Sequence, residues 1–183
     1  MNFCTNKNTH FGRNVAYLRT NYTKDAMKLI LLVVGKTNEA WIQTAVADYE
    51  KRLKHYLPFQ LEVIPDLKGA KNMTEEQIKA KEAESILAWN KPGDVMVLLD
   101  ENGTQHPSER FAGYLQKKMN AGVRNLVFVV GGPYGFAPSV YEACPERISL
   151  SKMTFSHQMV RVFIVEQFYR AMTIIKGEPY HHS

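Results

Sequence analysis

The sequence predicts an α/β domain in which a mainly parallel sheet carries helices on both faces. Three observations carry that expectation. From Met27 onward, strand-like and helix-like patterns alternate strictly; the runs Lys28 to Gly35 and Leu126 to Val130 are almost wholly apolar; and the links between elements are short. Strands covered on both faces read as continuous apolar runs, and alternation with helices supplies the crossovers that parallel pairing needs. The 183 residues, 45% hydrophobic and 22% charged, suit one soluble domain with a real core.

The elements follow in order. Residues 1–26 hold Asn, Thr, Lys and isolated aromatics without a sustained period. They read as a disordered or non-native leader upstream of a start at Met27, with a basic RNA-binding arm as the alternative, so the domain is assigned to residues 27–183. Lys28 to Gly35 is a buried strand. Glu39 to Tyr56 is helical, with Trp41, Ala45 and Tyr49 recurring every four residues. Phe59 to Ile64 is the second strand. Thr74 and Gln77 form a capping box, in which each side chain bonds the other's backbone, and open a helix towards Trp89. Asp94 to Asp100 is a strand, closed by a turn at Glu101, Asn102 and Gly103. Ser108 caps a helix that runs through Met119, and Leu126 to Val130 is the fourth strand. A short helix from Pro138 to Ala143 leads to a strand over Arg147 to Leu150. The long helix His157 to Lys176 and the tail Gly177 to Ser183 complete the chain.

Composition excludes several classes. No apolar run approaches the roughly 18 residues needed to cross a bilayer, and the leader lacks the apolar core of a secretory signal. Cys4 and Cys144 have neither metal-ligand spacing nor a disulfide pattern, which points to a reducing, cytoplasmic compartment. His181 and His182 are adjacent and lack a nearby carboxylate or cysteine partner, so no metal site is expected. The net charge of +5 draws on Lys7, Arg13, Arg19 and Lys24 in the leader, opposed there by Asp25 alone. The remaining domain is only mildly basic, a weak electrostatic pointer to RNA.

Ligands of open parallel sheets bind beyond the carboxyl ends of strands. Three such ends stand out: Leu98 to Asp100, Gly131 to Gly135, and Leu150 to Phe155. Gly131, Gly132 and Gly135 fit neither the dinucleotide fingerprint nor the phosphate loop, and a tight strand-to-helix turn explains them equally well. Ser151, Lys152, Met153, Thr154 and Phe155 are too polar to continue a strand. Such a loop can wrap an adenine with backbone hydrogen bonds while Leu150 and Met153 cover the ring; as a plain capping loop it needs only Ser156 as N-cap. The helix that follows carries Val160, Val162, Phe163, Ile164, Val165, Phe168, Tyr169 and Met172, and so is apolar nearly all round. Burial in a two-fold subunit interface is the expectation, with a central helix of a monomer as the alternative. His157 and Arg161 lie four apart on one face, placed to meet a substrate, while Glu166 and Arg170 share that spacing and read as an ion pair.

Leu99-Asp100, Val129 to Gly135, Leu150 to Arg161, Glu166 to Ala171 and Gly177 to His181 together resemble the ribosomal RNA large subunit methyltransferase H family, part of the knotted SPOUT superfamily. The resemblance spans Met27 to Ser183 in order. It is most specific in Leu150 to Arg161 joined to the Pro179-Tyr180-His181 tail; the Gly-Gly pair alone is not specific. The family usually has proline where Ser156 stands, so the loop entrance here is less rigid.

The resemblance implies a C-terminal trefoil knot, a homodimer, and S-adenosylmethionine as cofactor, held by Leu99, Gly131, Leu150, Ser151, Lys152, Met153, Thr154 and Phe155. It implies methylation at N3 of a pseudouridine in 23S rRNA of the assembled 70S ribosome. Nothing in composition or periodicity indicates a knot, and chains in general avoid knots. On this reading Arg161 stabilises negative charge on the base carbonyls, and His157 or His181 accepts the imide proton or orients a water. Tyr180 stacks on the base or hydrogen-bonds it. Lys68, Lys71, Lys79 and Lys81 are docking candidates or simply a solvated face. A dinucleotide-dependent oxidoreductase would need a glycine cluster after the first strand, where Gly35-Lys36-Thr37-Asn38 stands. A non-catalytic ribosome-associated factor would keep the fold and need no cofactor pocket.

Overall fold

The structure, a computed structural model, describes residues 26–180. The expectations for residues 1–25, Cys4, His181 and His182 therefore lie outside the described residues. Strands β1 (Lys28–Val34), β2 (Phe59–Ile64), β3 (Asp94–Gln105), β4 (Asn125–Val130) and β5 (Glu146–Ser149) form one sheet in the order β2-β1-β4-β3-β5. All four pairings are parallel. Helices α1 (Ala40–Leu53), α3 (Ser108–Asn120) and α5 (His157–Lys176) cover one face; α2 (Glu75–Leu87) and α4 (Pro138–Ala143) cover the other.

The apolar runs predicted as strands are the centre of this sandwich. Along β1, Leu29, Leu31 and Val33 point into the α1–α3–α5 core, and Ile30, Leu32 and Val34 into the α2–α4 core. Phe168 of α5 meets Phe128 of β4 edge-on, with ring centroids 4.8 Å apart. Each such fully buried side chain contributes about 1.5–3 kcal/mol. The Thr74–Gln77 capping box forms in full, and Ser156 caps α5 by accepting the Met159 N–H at 3.2 Å.

Three details differ from the sequence reading. In α1 the buried positions are Ile42, Val46 and Leu53, whereas Trp41 is 54% exposed. The Trp41–Ala45–Tyr49 row lies one position off the core stripe. β3 does not end at Asp100 but continues to Gln105 beside β5, with its register shifted between Leu99 and Thr104. The expected turn at Glu101-Asn102-Gly103 is thus a bulge, in which the Asn102 N–H donates to Asp100 Oδ1 at 2.8 Å. Glycine is required at 103 because a Cβ there would stand 2.6 Å from the Ile148 carbonyl carbon. Pro107 takes the cap position of α3, and Ser108 is its first residue. Helix α5 is not enclosed on all sides by its own chain, in keeping with its all-round apolar sequence: Ile164, Val165, Phe168, Ala171 and Met172 are buried, while Phe163 on the other side is 37% exposed.

One connection shapes the site. β5 forms one edge of the sheet, yet α5 begins beside the end of β1, near the other edge. Gln158 Nε2 donates to Lys36 O at 2.9 Å, and Arg161 donates to Val34 O at 2.8 Å. The chain therefore crosses above the carboxyl ends of β3 and β4 between Leu150 and Ser156.

Candidate active site

Beyond those carboxyl ends lies a cleft of about 540 Å³. Leu99, Asp100 and Glu101 of β3 line one side; Gly131 to Phe136 after β4 and the crossing segment line the others. The three strand ends singled out in the sequence thus converge on a single cleft. Leu99, Gly131, Leu150, Ser151, Met153, Thr154, Phe155 and His157 all border it, whereas Lys152 does not. Gly131 needs its small size, since a Cβ would sit 3.1 Å from the Phe136 ring.

The crossing loop holds itself in place. Ser149 Oγ donates to Ser151 O at 2.7 Å, and Ser151 Oγ accepts the Met153 N–H at 2.9 Å. Thr154 Oγ1 donates to Glu101 at 3.2 Å, tying the loop to the β3 bulge. Met153 is 73% exposed over the cleft rim, and the Phe155 ring tilts against Phe163 with centroids 4.9 Å apart.

His157 enters the cleft wall at the start of α5. Burial lowers its pKa first and the Arg161 charge lowers it further, with Asp66 opposing, which favours the neutral imidazole. Arg161 does not line the cleft. It is fully buried, donating to Thr37 Oγ1 at 2.7 Å, to Val34 O at 2.8 Å and to His157 O at 3.3 Å. Its guanidinium thereby joins the first turn of α5 to the end of β1.

Comparison with known proteins decides the family. Residues 27–181 match the family described as "Predicted SPOUT methyltransferase". The chain belongs to the SPOUT methyltransferase family. It is 56% identical over 157 residues to the ribosomal RNA large subunit methyltransferase H of Parabacteroides distasonis, covering 86% of this chain and 100% of that one. The protein of the same name from Christiangramia forsetii is 54% identical over 156 residues, covering 85% and 99%. A solved SpoU methyltransferase, AviRb from Streptomyces viridochromogenes in complex with the cofactor AdoMet, gives a TM-score of 0.41 at 10% identity, covering 87% of this chain and 64% of that one.

Placed on this SPOUT methyltransferase, the remaining predicted residues separate. Tyr180 lies away from the cleft lining, near the middle of α5: its hydroxyl is 3.2 Å from Glu166 Oε1 and 3.4 Å from the Tyr49 hydroxyl, and Arg170 sits over its ring. Glu166 and Arg170 form the expected ion pair at 2.6 Å. His157 and Tyr180 are thus not brought together within one chain. Further residues stand in the cleft or behind it. Tyr141 donates to Asp100 Oδ2 at 2.6 Å, and burial together with that bond pushes its pKa up to about 12. Glu82 of α2 lies directly behind Gly132. Asp100 was readable as the end of a strand, but Tyr141 and Glu82 carry no local signal. Among the described residues, no cluster suited to a metal ion occurs and no helix is long and apolar enough to cross a membrane.

Proposed function

We propose that this methyltransferase transfers the methyl group of S-adenosylmethionine to large-subunit ribosomal RNA, at N3 of a pseudouridine of 23S rRNA in the assembled 70S ribosome. The observation that carries the reading is the 56% identity to a ribosomal RNA large subunit methyltransferase H across that relative's whole length. The cleft suits the cofactor chemically. Its volume is ample for a nucleoside-sized ligand, Leu99, Ile148 and Leu150 offer apolar surface to a planar ring, and the Asp100 and Glu101 carboxylates favour a cation. When bound, the cofactor supplies an electrophilic sulfonium methyl.

The chain's own part is to select, orient and deprotonate. A ring nitrogen of neutral His157 accepts the imide proton of the base at the cleft wall. Arg161 acts as a positioning residue, fixing the turn that bears His157 and keeping its imidazole uncharged. Tyr180 and His181 serve the cleft of a second copy, stacking on the base and taking part in proton movement. Two chains join through the half-exposed side of α5 around Phe163. The crossing segment and α5 form the trefoil knot, and the enzyme works in the cytoplasm.

The test is methyl transfer from labelled cofactor to 70S ribosomes of a methylation-deficient strain, with isolated subunits and tRNA alongside and the labelled nucleoside mapped. Label on a 23S pseudouridine, abolished by His157→Ala, is expected. Label on tRNA alone would discard the ribosomal assignment, and transfer to no RNA by a folded protein would sink the reading.

A further inference from the structure

Glu82 presents an anomaly that the cleft alone does not explain. It sits on α2, whose Ala83 and Ile86 pack against the sheet, and it is 7% exposed. Its Oε2 is buried without a hydrogen-bond partner. Among the described residues no basic side chain pairs with it; burial raises its pKa, the nearby Gly132 backbone opposes that, and Asp66 raises it further. A carboxyl in this condition costs stability, so its presence calls for an explanation.

Its surroundings indicate the purpose. A Cβ built on Gly132 would lie 2.6 Å from each Glu82 oxygen. The carboxyl thus occupies the space that a side chain at position 132 would take. Immediately beyond, Pro133, Tyr134 and Gly135 are exposed on the cleft rim, in a turn closed by Gly135 N–H to Gly132 O at 3.2 Å. Glu82 meets that turn from the far side of the sheet, where α2 is anchored in the core.

We infer that Glu82 is a positioning residue for cofactor binding: its carboxyl, buried behind Gly132, fixes the Gly131–Gly135 turn in the conformation that borders the cleft. The inference rests on the cleft being the S-adenosylmethionine site. Glu82 does not touch the ligand; its carboxyl stands directly against the Gly132 backbone of the turn and fills the space beneath it. The loosely satisfied carboxyl makes this link sensitive to small changes in length, because no second side chain shares the load.

The experiment is a double-mutant cycle on the full chain, read by calorimetric binding of S-adenosylmethionine and by amide exchange of the ligand-free protein. Gly132→Ala drives a methyl group into the carboxyl. Glu82→Asp withdraws the carboxyl by one methylene, and Glu82→Gln keeps its size and one acceptor. Gly132→Ala and Glu82→Ala should each weaken binding about tenfold or more. Glu82→Gln should retain most of the affinity. Glu82→Asp should partly restore Gly132→Ala, so that the two effects depart from additivity by about fivefold. Exchange at residues 131–135 should rise in Glu82→Ala while β1 and β4 stay protected. Additive effects within twofold, or unchanged exchange in that turn, would overturn the inference. If Glu82→Ala does not fold, the cycle with Glu82→Asp decides. If the unaltered protein binds no cofactor, the methyl-donor reading fails, and turn exchange still judges the role of Glu82.

Discussion

At the residue scale, Arg161 and Glu82 are the two charged side chains buried among the described residues. Arg161 has no exposed surface and gives three hydrogen bonds, one within its own helix and two to Thr37 and Val34, far away in the chain. Arg161→Ala should therefore cost about 3 kcal/mol, measured as a shift in denaturant midpoint. It should also raise the His157 pKa in an NMR titration, because the guanidinium charge is one of two causes that lower it. The two titrating groups pull stability in opposite directions with pH. His157 falls below its ordinary 6.5 on folding, so its contribution is intact above that pH and is lost as the pH drops through the lowered value. Glu82 rises above its ordinary 4.5, so its contribution is intact below that pH and is lost as the pH climbs through the raised value. His157→Gln should flatten the acidic side of the stability profile and Glu82→Gln the alkaline side, both read from urea midpoints.

At the element scale, caps and the bulge separate stability from binding. Ser156→Ala and Thr74→Ala should each cost about 1 kcal/mol in urea unfolding. Ser156 borders the cleft, so its loss should also weaken cofactor binding, whereas loss of Thr74, at the start of α2, should not. Gly103→Ala should separate β3 from β5 at Ile148 and lower both melting temperature and affinity. Sequence periodicity served well where burial sets the pattern, as in β1, β4 and the bounds of α5. It failed at residues 101–103, whose turn-like composition conceals a strand that needs the β5 backbone as its neighbour. That the segment 150–156 borders the cleft was legible because a polar run directly follows a strand. The inward aim of Arg161 was not, since its partners Thr37 and Val34 lie 124 and 127 residues away. Glu82 looked like any charge on a solvated helix beside Lys79, Lys81 and Glu84.

At the scale of the whole molecule, the family match begins at residue 27. A chain starting at Met27 should bind S-adenosylmethionine with unchanged affinity and melt at the same temperature. Sedimentation should give a dimer, and Phe163→Lys should shift it to monomer without lowering helix content, because that ring is 37% exposed on the outer side of α5. The path of the chain carries a further consequence for biosynthesis. α5 fills the groove between α1 and α3 and bonds to the end of β1, so the groove stays open until nearly every other element has been translated. Such distant partners make a slow folder, and a nascent chain paused before residue 157 exposes Phe111, Phe128 and Leu115 to any hydrophobic surface nearby. Demand for a chaperone should therefore be greatest in the seconds before the last helix leaves the exit tunnel.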